Sequence, residues 1–484
     1  MRKVLKIIFE ALKGEERDYT SGSINRAIVL LSIPMILEMV MESLFAVVDV
    51  YFVSKVSVEA VTVVGLTESV LTLIYSVAIG LSMAATAMVA RRIGEKKPQE
   101  ASVAAMQSVF MAIAFSVLIG IPGILFADDI LRFMGGNDKV VAQGTGYTQI
   151  MLGSNIVIML LFLLNGVFRG AGNAAIAMRV LWISNGINIV LDPLFIFGIG
   201  PFPEMGVQGA AVATTIGRSI GVIFQLYALL KPAKKTVQSS TLDSEELKLK
   251  ATNGGGSIVR FTKETLIVNW EIIQRLLKVG ITGAGQFLIA SASWIFLVRI
   301  IAEFGSNAVA GYTIAIRIII FTTLPSWGLA NAAATLVGQN LGAGQPERAE
   351  TSVWRSGFFN MLFLVGLSLI LVVFSAPVIR FFTSEPAVVE AGVLSLRIFC
   401  AGYLFWAWGM VVSQAFNGAG DTRTPTIINL ICFWAMEIPL GYFLAITLGW
   451  GVAGVCAAVA ISEAMWAIIS VLVFRKGKWK SVKI

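Results

Sequence analysis

Twelve runs of predominantly apolar residues divide the chain: 27–53, 62–90, 101–126, 143–168, 176–199 and 207–230, then 272–302, 309–337, 350–375, 391–416, 425–448 and 451–474. Each reaches the ~20 residues that an α-helix needs to cross a ~30 Å hydrocarbon core. None shows the alternating ten-residue pattern of barrel strands. A bilayer interior offers the backbone no hydrogen-bond partner, so only helices and closed barrels span it. The run length selects helices. Turn residues such as Gly135-Gly136-Asn137 and Gly200-Pro201 fill short breaks. The pattern predicts an all-α integral membrane protein with twelve transmembrane helices.

Composition agrees. Hydrophobic residues make up 57% of the chain and charged residues 14%, against about 25% charged in soluble domains. The net charge of +8 would suggest a nucleic-acid partner in a soluble chain, but its placement here points to membrane topology and no nucleic acid. Lys and Arg gather before the first span, in 91–100, 169–179, 231–278 and 348–355, at Arg423, and after Phe474. The alternate loops hold only Lys55, Arg132, Lys139 and Arg380. Basic residues stay on the cytoplasmic side, so both termini are expected in the cytoplasm of a multi-pass cell-membrane protein. Arg218, Arg299, Arg317 and Arg397 fall within spans and are expected to pair with acids or snorkel.

Cys400, Cys432 and Cys456 lie in apolar runs and read as small buried residues. There is no histidine, so any proton step must use carboxylates, Tyr or Lys. Residues 1–26 mix acids and bases, and Glu10 interrupts the apolar run Val4–Leu12. An interfacial amphipathic helix is expected there, not a cleavable signal.

The chain repeats itself. Residues 93–101 (Ile-Gly-Glu-Lys-Lys-Pro-Gln-Glu-Ala) match 341–349 (Leu-Gly-Ala-Gly-Gln-Pro-Glu-Arg-Ala), and Phe168-Arg169-Gly170-Ala171-Gly172-Asn173 matches Phe416-Asn417-Gly418-Ala419-Gly420-Asp421, both at an offset of 248. Gly206-Val207-Gln208-Gly209 matches Gly451-Val452-Ala453-Gly454 at 245. Six spans per half is an even number, so both halves enter from the same side and are related by a pseudo-twofold axis along the membrane normal. The expected organisation is a cytoplasmic N-terminal segment (1–26), an N-lobe (27–230), a cytoplasmic linker (231–270), a C-lobe (271–474) and a basic tail (475–484). The linker is polar, flexible around Gly254-Gly255-Gly256, and has room for a short helix over Ser244–Lys250. Two lobes that rock about a central site make a transporter.

The first span carries Glu38, Glu42 and Asp49. An acid at mid-bilayer costs roughly 2.5–3.5 kcal/mol on insertion scales. At 100° per residue Met35, Glu38, Glu42 and Phe45 fall within about 40° of Asp49, so the three acids share one stripe, which should face the bundle or a cavity. Pro34 removes a backbone hydrogen bond and marks either a static kink or a working hinge. On the fifth span Asn185, Asn188 and Asp192 share a second stripe. Asp49 and Asp192 both lie about six or seven residues from the outer loops, hence at similar depth. If they meet without a cation, repulsion and desolvation make a proton site. If amide and hydroxyl oxygens join them around an ion, Na⁺ is the guest. At the repeat offsets Asp49, Asn188 and Asp192 fall on Ile295, Met436 and Leu440, so coupling is expected in the N-lobe alone. Gln286, Gln414, Glu437 and Glu463 lie one per helix in the C-lobe, with packing or hydrogen-bonding roles expected rather than an ion site. No G-x-x-x-x-G-K-[ST] motif is present, which excludes P-loop ATP use.

Ile33-Pro34, Asp49, Phe168-Arg169-Gly170-Ala171-Gly172-Asn173, Asn188-Ile189-Val190-Leu191-Asp192-Pro193-Leu194-Phe195 and Gly206-Val207-Gln208-Gly209-Ala210-Ala211-Val212-Ala213-Thr214 together resemble the multidrug and toxic compound extrusion (MATE) family, over about residues 25–475. The sequence is similar to the prokaryotic branch with its acidic pair in the N-lobe. The resemblance implies two lobes in a V around a central cavity, and export of organic cations and amphipathic compounds in exchange for H⁺ or Na⁺, with no cofactor and as a monomer. It implies a proton or Na⁺ site at Asp49, Tyr147, Asn188, Asp192 and Thr214, with the Ala210 carbonyl as a further ligand. Met39, Glu42, Asn165 and Asn185 would line the substrate cavity, and Glu42 would favour cations. A lipid or lipid-linked saccharide flippase shares the two-lobed architecture, but its cavity should be basic, whereas this stripe is acidic. A membrane enzyme would need a catalytic constellation that is missing here, and a one-sided site disfavours a channel.

Overall fold

The computed structural model describes residues 2–14, 19–231 and 259–484. All regular structure among them is helical. An N-terminal helix α1 (Arg2–Lys13) precedes α2 (Ile24–Ser54), α3 (Val58–Gly94) and α4 (Pro98–Leu125). The short α5 (Ala127–Phe133) leads to α6 (Asp138–Gly153), α7 (Asn155–Gly170), α8 (Ala174–Phe197) and α9 (Val207–Leu230). The second half repeats this order: α10 (Trp270–Ala302), α11 (Ser306–Gly342), α12 (Pro346–Val373), the short α13 (Ser375–Arg380), α14 (Pro386–Ala419), α15 (Arg423–Thr447) and α16 (Val452–Arg475). Eleven of these described helices are long and apolar enough to cross a membrane, and the pair α6–α7 supplies a twelfth. The protein is thus an all-α membrane protein of two six-span halves.

The expected fourth span, 143–168, is two helices bent by 41°. The bend has a local cause. Asn155 donates its side-chain amide to the Leu152 carbonyl at 2.6 Å and to the Ser116 carbonyl at 3.1 Å. A side chain that bonds the neighbouring backbone competes with the helix ladder. The Ser154 hydroxyl beside it pairs with Thr215 of α9 at 3.0 Å. In the second half, α14 runs unbroken from Pro386 to Ala419, and α15 instead contains π-helical stretches at Leu430–Glu437 and Phe443–Thr447.

The short helix α1 falls where the amphipathic N-terminal segment was expected. Glu10 accepts from Arg26 at 2.7 Å, and Arg179 of α8 bonds the Leu12 carbonyl. The helix expected over Ser244–Lys250 lies outside the described residues. The linker's described end is docked: the Phe261 amide donates to the Leu229 carbonyl at 3.1 Å, and Gln107 donates to the Ile267 carbonyl at 3.0 Å.

Close backbone approaches between the halves fall toward the end of the molecule that carries both chain termini. Gly80 of α3 lies where a Cβ would sit 2.3 Å from the Gly280 carbonyl of α10. A Cβ on Gly94 would meet the Gln339 carbonyl, and one on Gly342 would meet that of Arg91. Gly328 of α11 packs on the Met35 backbone, next to Pro34, which is buried inside the continuous helix α2. The hydrogen bonds between the halves sit at this end too: Thr335 to the Arg169 carbonyl at 3.2 Å, Gln339 to the Gly170 carbonyl at 3.1 Å, and Arg348 to the Ser21 carbonyl at 2.9 Å. Among the described residues, none joins the halves near Asp49 or Glu68. Gly80→Val should therefore wedge the halves apart at the terminal end. A cysteine placed at buried Thr335 should react with a maleimide in that variant and stay protected with Gly80 intact; the native cysteines are buried and give little background.

Candidate functional site

Two glycines bring α8 and α9 together. A Cβ on Gly209 would lie 2.5 Å from the Phe195 backbone, and one on Gly217 would lie 2.6 Å from the Ser184 carbonyl. Backbones that approach this closely align the polar stripe of α8 with α9. Asn188 then donates from its amide nitrogen to the Thr214 hydroxyl at 3.0 Å and to Asp192 Oδ1 at 3.1 Å. Ala210 lies one turn before Thr214 and is buried. Asp49 of α2 and Asp192 of α8 are within electrostatic range of each other. Tyr147, buried on α6, is within electrostatic range of Asp49.

Three buried oxygens in this cluster have no hydrogen-bond partner: Asp49 Oδ1, Asp192 Oδ2 and Asn188 Oδ1. Buried polar atoms are almost always paired, so three unpartnered acceptors in one cluster leave room for a positive guest. A proton satisfies two of them by turning one acceptor into a donor. A cation satisfies all three with hard oxygen ligands, the kind that suits an alkali ion.

The three acids of α2 have different surroundings. Glu38 accepts from Asn165 at 3.1 Å and pairs with Arg169 at 3.5 Å, and Arg169 also bonds Ser82 at 3.2 Å. Glu42 accepts from Asn185 at 3.2 Å and pairs with Arg218 at 3.7 Å. The Arg218 guanidinium bonds Tyr75 at 3.2 Å and lies 5.4 Å from the centre of the Phe45 ring. Asp49 has no ion pair or hydrogen bond to a base among the described residues. The stripe therefore divides into two neutralised acids and one that is left over.

Of the residues expected to line a substrate cavity, Met39 is half-buried and Glu42 partly open. Asn165 and Asn185 are buried, and their amides are committed to Glu38 and Glu42. Asn165 also accepts from Gln225 at 2.6 Å. The sequence reading overlooked Glu68 on α3. It is exposed, yet it interacts with Arg218, Asp49 and Glu42, so it stands in the open space between these helices. The signal was present: Glu68 is the one charge inside the second apolar run, and an intramembrane acid is a functional hypothesis by default. Arg218 does pair with an acid, as expected.

A model of the MatE family matches residues 34–194 and again 284–443, once in each half. The chain belongs to the MATE family. Over 459 residues it is 28% identical to a probable multidrug resistance protein NorM of Thermotoga maritima, covering 94% of this chain and 93% of that one. It is 22% identical to the multidrug export protein MepA of Staphylococcus aureus over 96% of both chains. A solved structure described as the outward-facing conformation of a multidrug resistance MATE transporter superposes with a TM-score of 0.84 at 26% identity, over 98% of each chain. MATE proteins are multi-pass membrane transporters of multidrug efflux, not enzymes, and need no cofactor.

Removing one partner of a buried ion pair strands the other charge, at about 3–5 kcal/mol. Arg169→Met strands Glu38 and should lower the thermal unfolding temperature in detergent by that equivalent. Adding Glu38→Gln should recover most of the loss.

Proposed function

We propose that this MATE protein exports organic cations and other amphipathic compounds across the cell membrane in exchange for H⁺ or Na⁺. The observation that carries the reading is the imbalance inside the N-terminal half. Glu38, Glu42, Glu68, Asp49 and Asp192 share it with only Arg169 and Arg218. The surplus acids attract positive cargo and positive coupling ions alike. They also argue against the flippase reading, which needs a basic cavity for pyrophosphate.

The coupling ion binds at Asp49, Asn188 and Asp192, with Thr214, Tyr147 and the Ala210 carbonyl around it. Cargo binds one to three turns nearer the closed end, against Met39, Glu42, Asn165 and Asn185. Arg218 pairs with Glu42 and its charge also reaches Glu68 and Asp49, so the pull on cationic cargo comes from the surplus of acids over this one base. The lobes are residues 27–230 and 271–474, and a single chain suffices. With the Lys- and Arg-rich terminal end taken as cytoplasmic, the halves meet on the cytoplasmic side. Binding of H⁺ or Na⁺ removes the repulsion between Asp49 and Asp192 and draws α2 toward α8. Pro34, with no amide hydrogen for the Leu30 carbonyl, lets α2 bend there. The N-lobe wall closes and cargo leaves outward.

The energetics suffice. One charge moving inward gains about 2.3 kcal/mol per 100 mV, and tenfold accumulation costs about 1.4 kcal/mol. One proton thus supports roughly fifty-fold extrusion of a neutral compound on potential alone. One-for-one exchange with a monovalent cation is electroneutral and draws on the ion's chemical gradient. Asp49→Asn should reach the membrane at the parent level and confer no efflux of a fluorescent cationic dye from whole cells. Efflux at the parent rate would remove Asp49 from the coupling site.

A further inference from the structure

The second half holds its own buried acids. Backbone packing sets the correspondence between the halves. Gly209 lies against Phe195 and Ile196, and Gly454 lies in the same way against Leu444 and Ala445. The offset is thus 249 on the fifth helix of each half and 245 on the sixth, not 248 throughout. Glu437, not Met436, therefore stands at the place of Asn188, and Glu463 stands at the place of Arg218. Where the N-terminal half sets an amide and a guanidinium, the C-terminal half sets two carboxylates.

The four polar residues expected to pack or hydrogen-bond here have different surroundings. Gln286 donates to Ser413 at 3.0 Å, and Gln414 accepts from Asn417 at 3.0 Å. Glu437 and Glu463 are 2% and 6% exposed, and each keeps a buried oxygen without a partner. The two carboxylates are close enough to interact, and both act on the Cys432 thiol. Ser293 of α10 is within hydrogen-bonding reach of Glu437. Among the described residues, no Lys or Arg acts on either acid. A second buried polar group lies nearby: Tyr312 of α11, fully buried, is within electrostatic range of Cys456 and Glu437, and its hydroxyl has no partner. The titratable groups around the pair are Tyr312, Cys432 and Cys456, all uncharged in their ordinary forms. Glu437 also ends the π-helical stretch 430–437, a local irregularity that often marks functional positions.

We propose that Glu437 and Glu463 form a second proton-binding site, in the half opposite Asp49 and Asp192, with the Tyr312 hydroxyl completing it. Two like charges side by side in a medium without a base cannot both persist. One shared proton lets one carboxyl donate to the other, and the Tyr312 hydroxyl donates to the remaining oxygen. A metal ion fits less well, since no group of three or more His, Cys, Asp or Glu gathers among the described residues. This site is separate from the coupling site proposed above and stands if that assignment fails.

The test is infrared difference spectroscopy of the full chain in lipid, stepped between mildly acidic and alkaline pH. The parent carries Asp49→Asn and Asp192→Asn, which silences the other pair. The parent should show a protonated-carboxyl band that titrates reversibly. Glu437→Gln should shift that titration, and Glu437→Gln with Glu463→Gln should abolish the band. Tyr312→Phe, which keeps the ring, should move the band without removing it and so separates the site's chemistry from a folding defect. An unchanged band in the double glutamine variant overturns the proposal. So does loss of the band on adding Na⁺ at constant pH, which would make the pair a cation site.

Discussion

A carboxylate inside a hydrocarbon slab has to be neutralised, by a base, a proton or a cation. Most of what is particular to this protein follows from how each buried acid meets that constraint. Glu38 and Glu42 are met by Arg169 and Arg218, and they tie α2 to α7 and α9. Asp49 and Asp192 form no ion pair among the described residues, although the Arg218 charge reaches Asp49, and each keeps one oxygen without a partner. The first pair of acids ties the half together, and the second pair is the one proposed to take up the coupling ion.

The same division explains where the molecule can move. The halves touch through glycines and backbone carbonyls at the terminal end, where little side-chain bulk intervenes. The acids without bases lie beyond that contact. Pro34 sits between the two regions, on the one helix that carries both kinds of acid. A change of charge at Asp49 thus acts on the helix that is also packed on Gly328 of the other half.

Much of this was legible in the chain. Run lengths gave twelve spans, and the repeat gave two halves. The 100° stripe grouped Glu38, Glu42 and Asp49, and matching depth made Asp192 the candidate partner of Asp49. What sequence periodicity could not reach was pairing between helices. Arg169 looked like a cytoplasmic basic residue because it ends its span, yet its side chain turns inward to Glu38. Glu68 shares α3 with Glu59, which stands in the first turn and on the opposite face, so no stripe of acids forms. The offset of 248, read from two loop motifs, is one residue short on the fifth helix, and that residue hid the correspondence of Glu437 with Asn188. The bend at Ser154 arises from a side-chain bond that apolar patterning does not register.

The central claim is that unpaired acids in the N-terminal half bind a coupling ion that exchanges with positive cargo. The direct measurement is uptake of a radiolabelled organic cation into inverted membrane vesicles, with a pH gradient or a Na⁺ gradient imposed separately and no ATP. The account predicts accumulation driven by one of these gradients and collapsing when that gradient is dissipated, and no accumulation with Asp192→Asn. Accumulation that needs neither gradient, or that persists unchanged in Asp192→Asn, would contradict it.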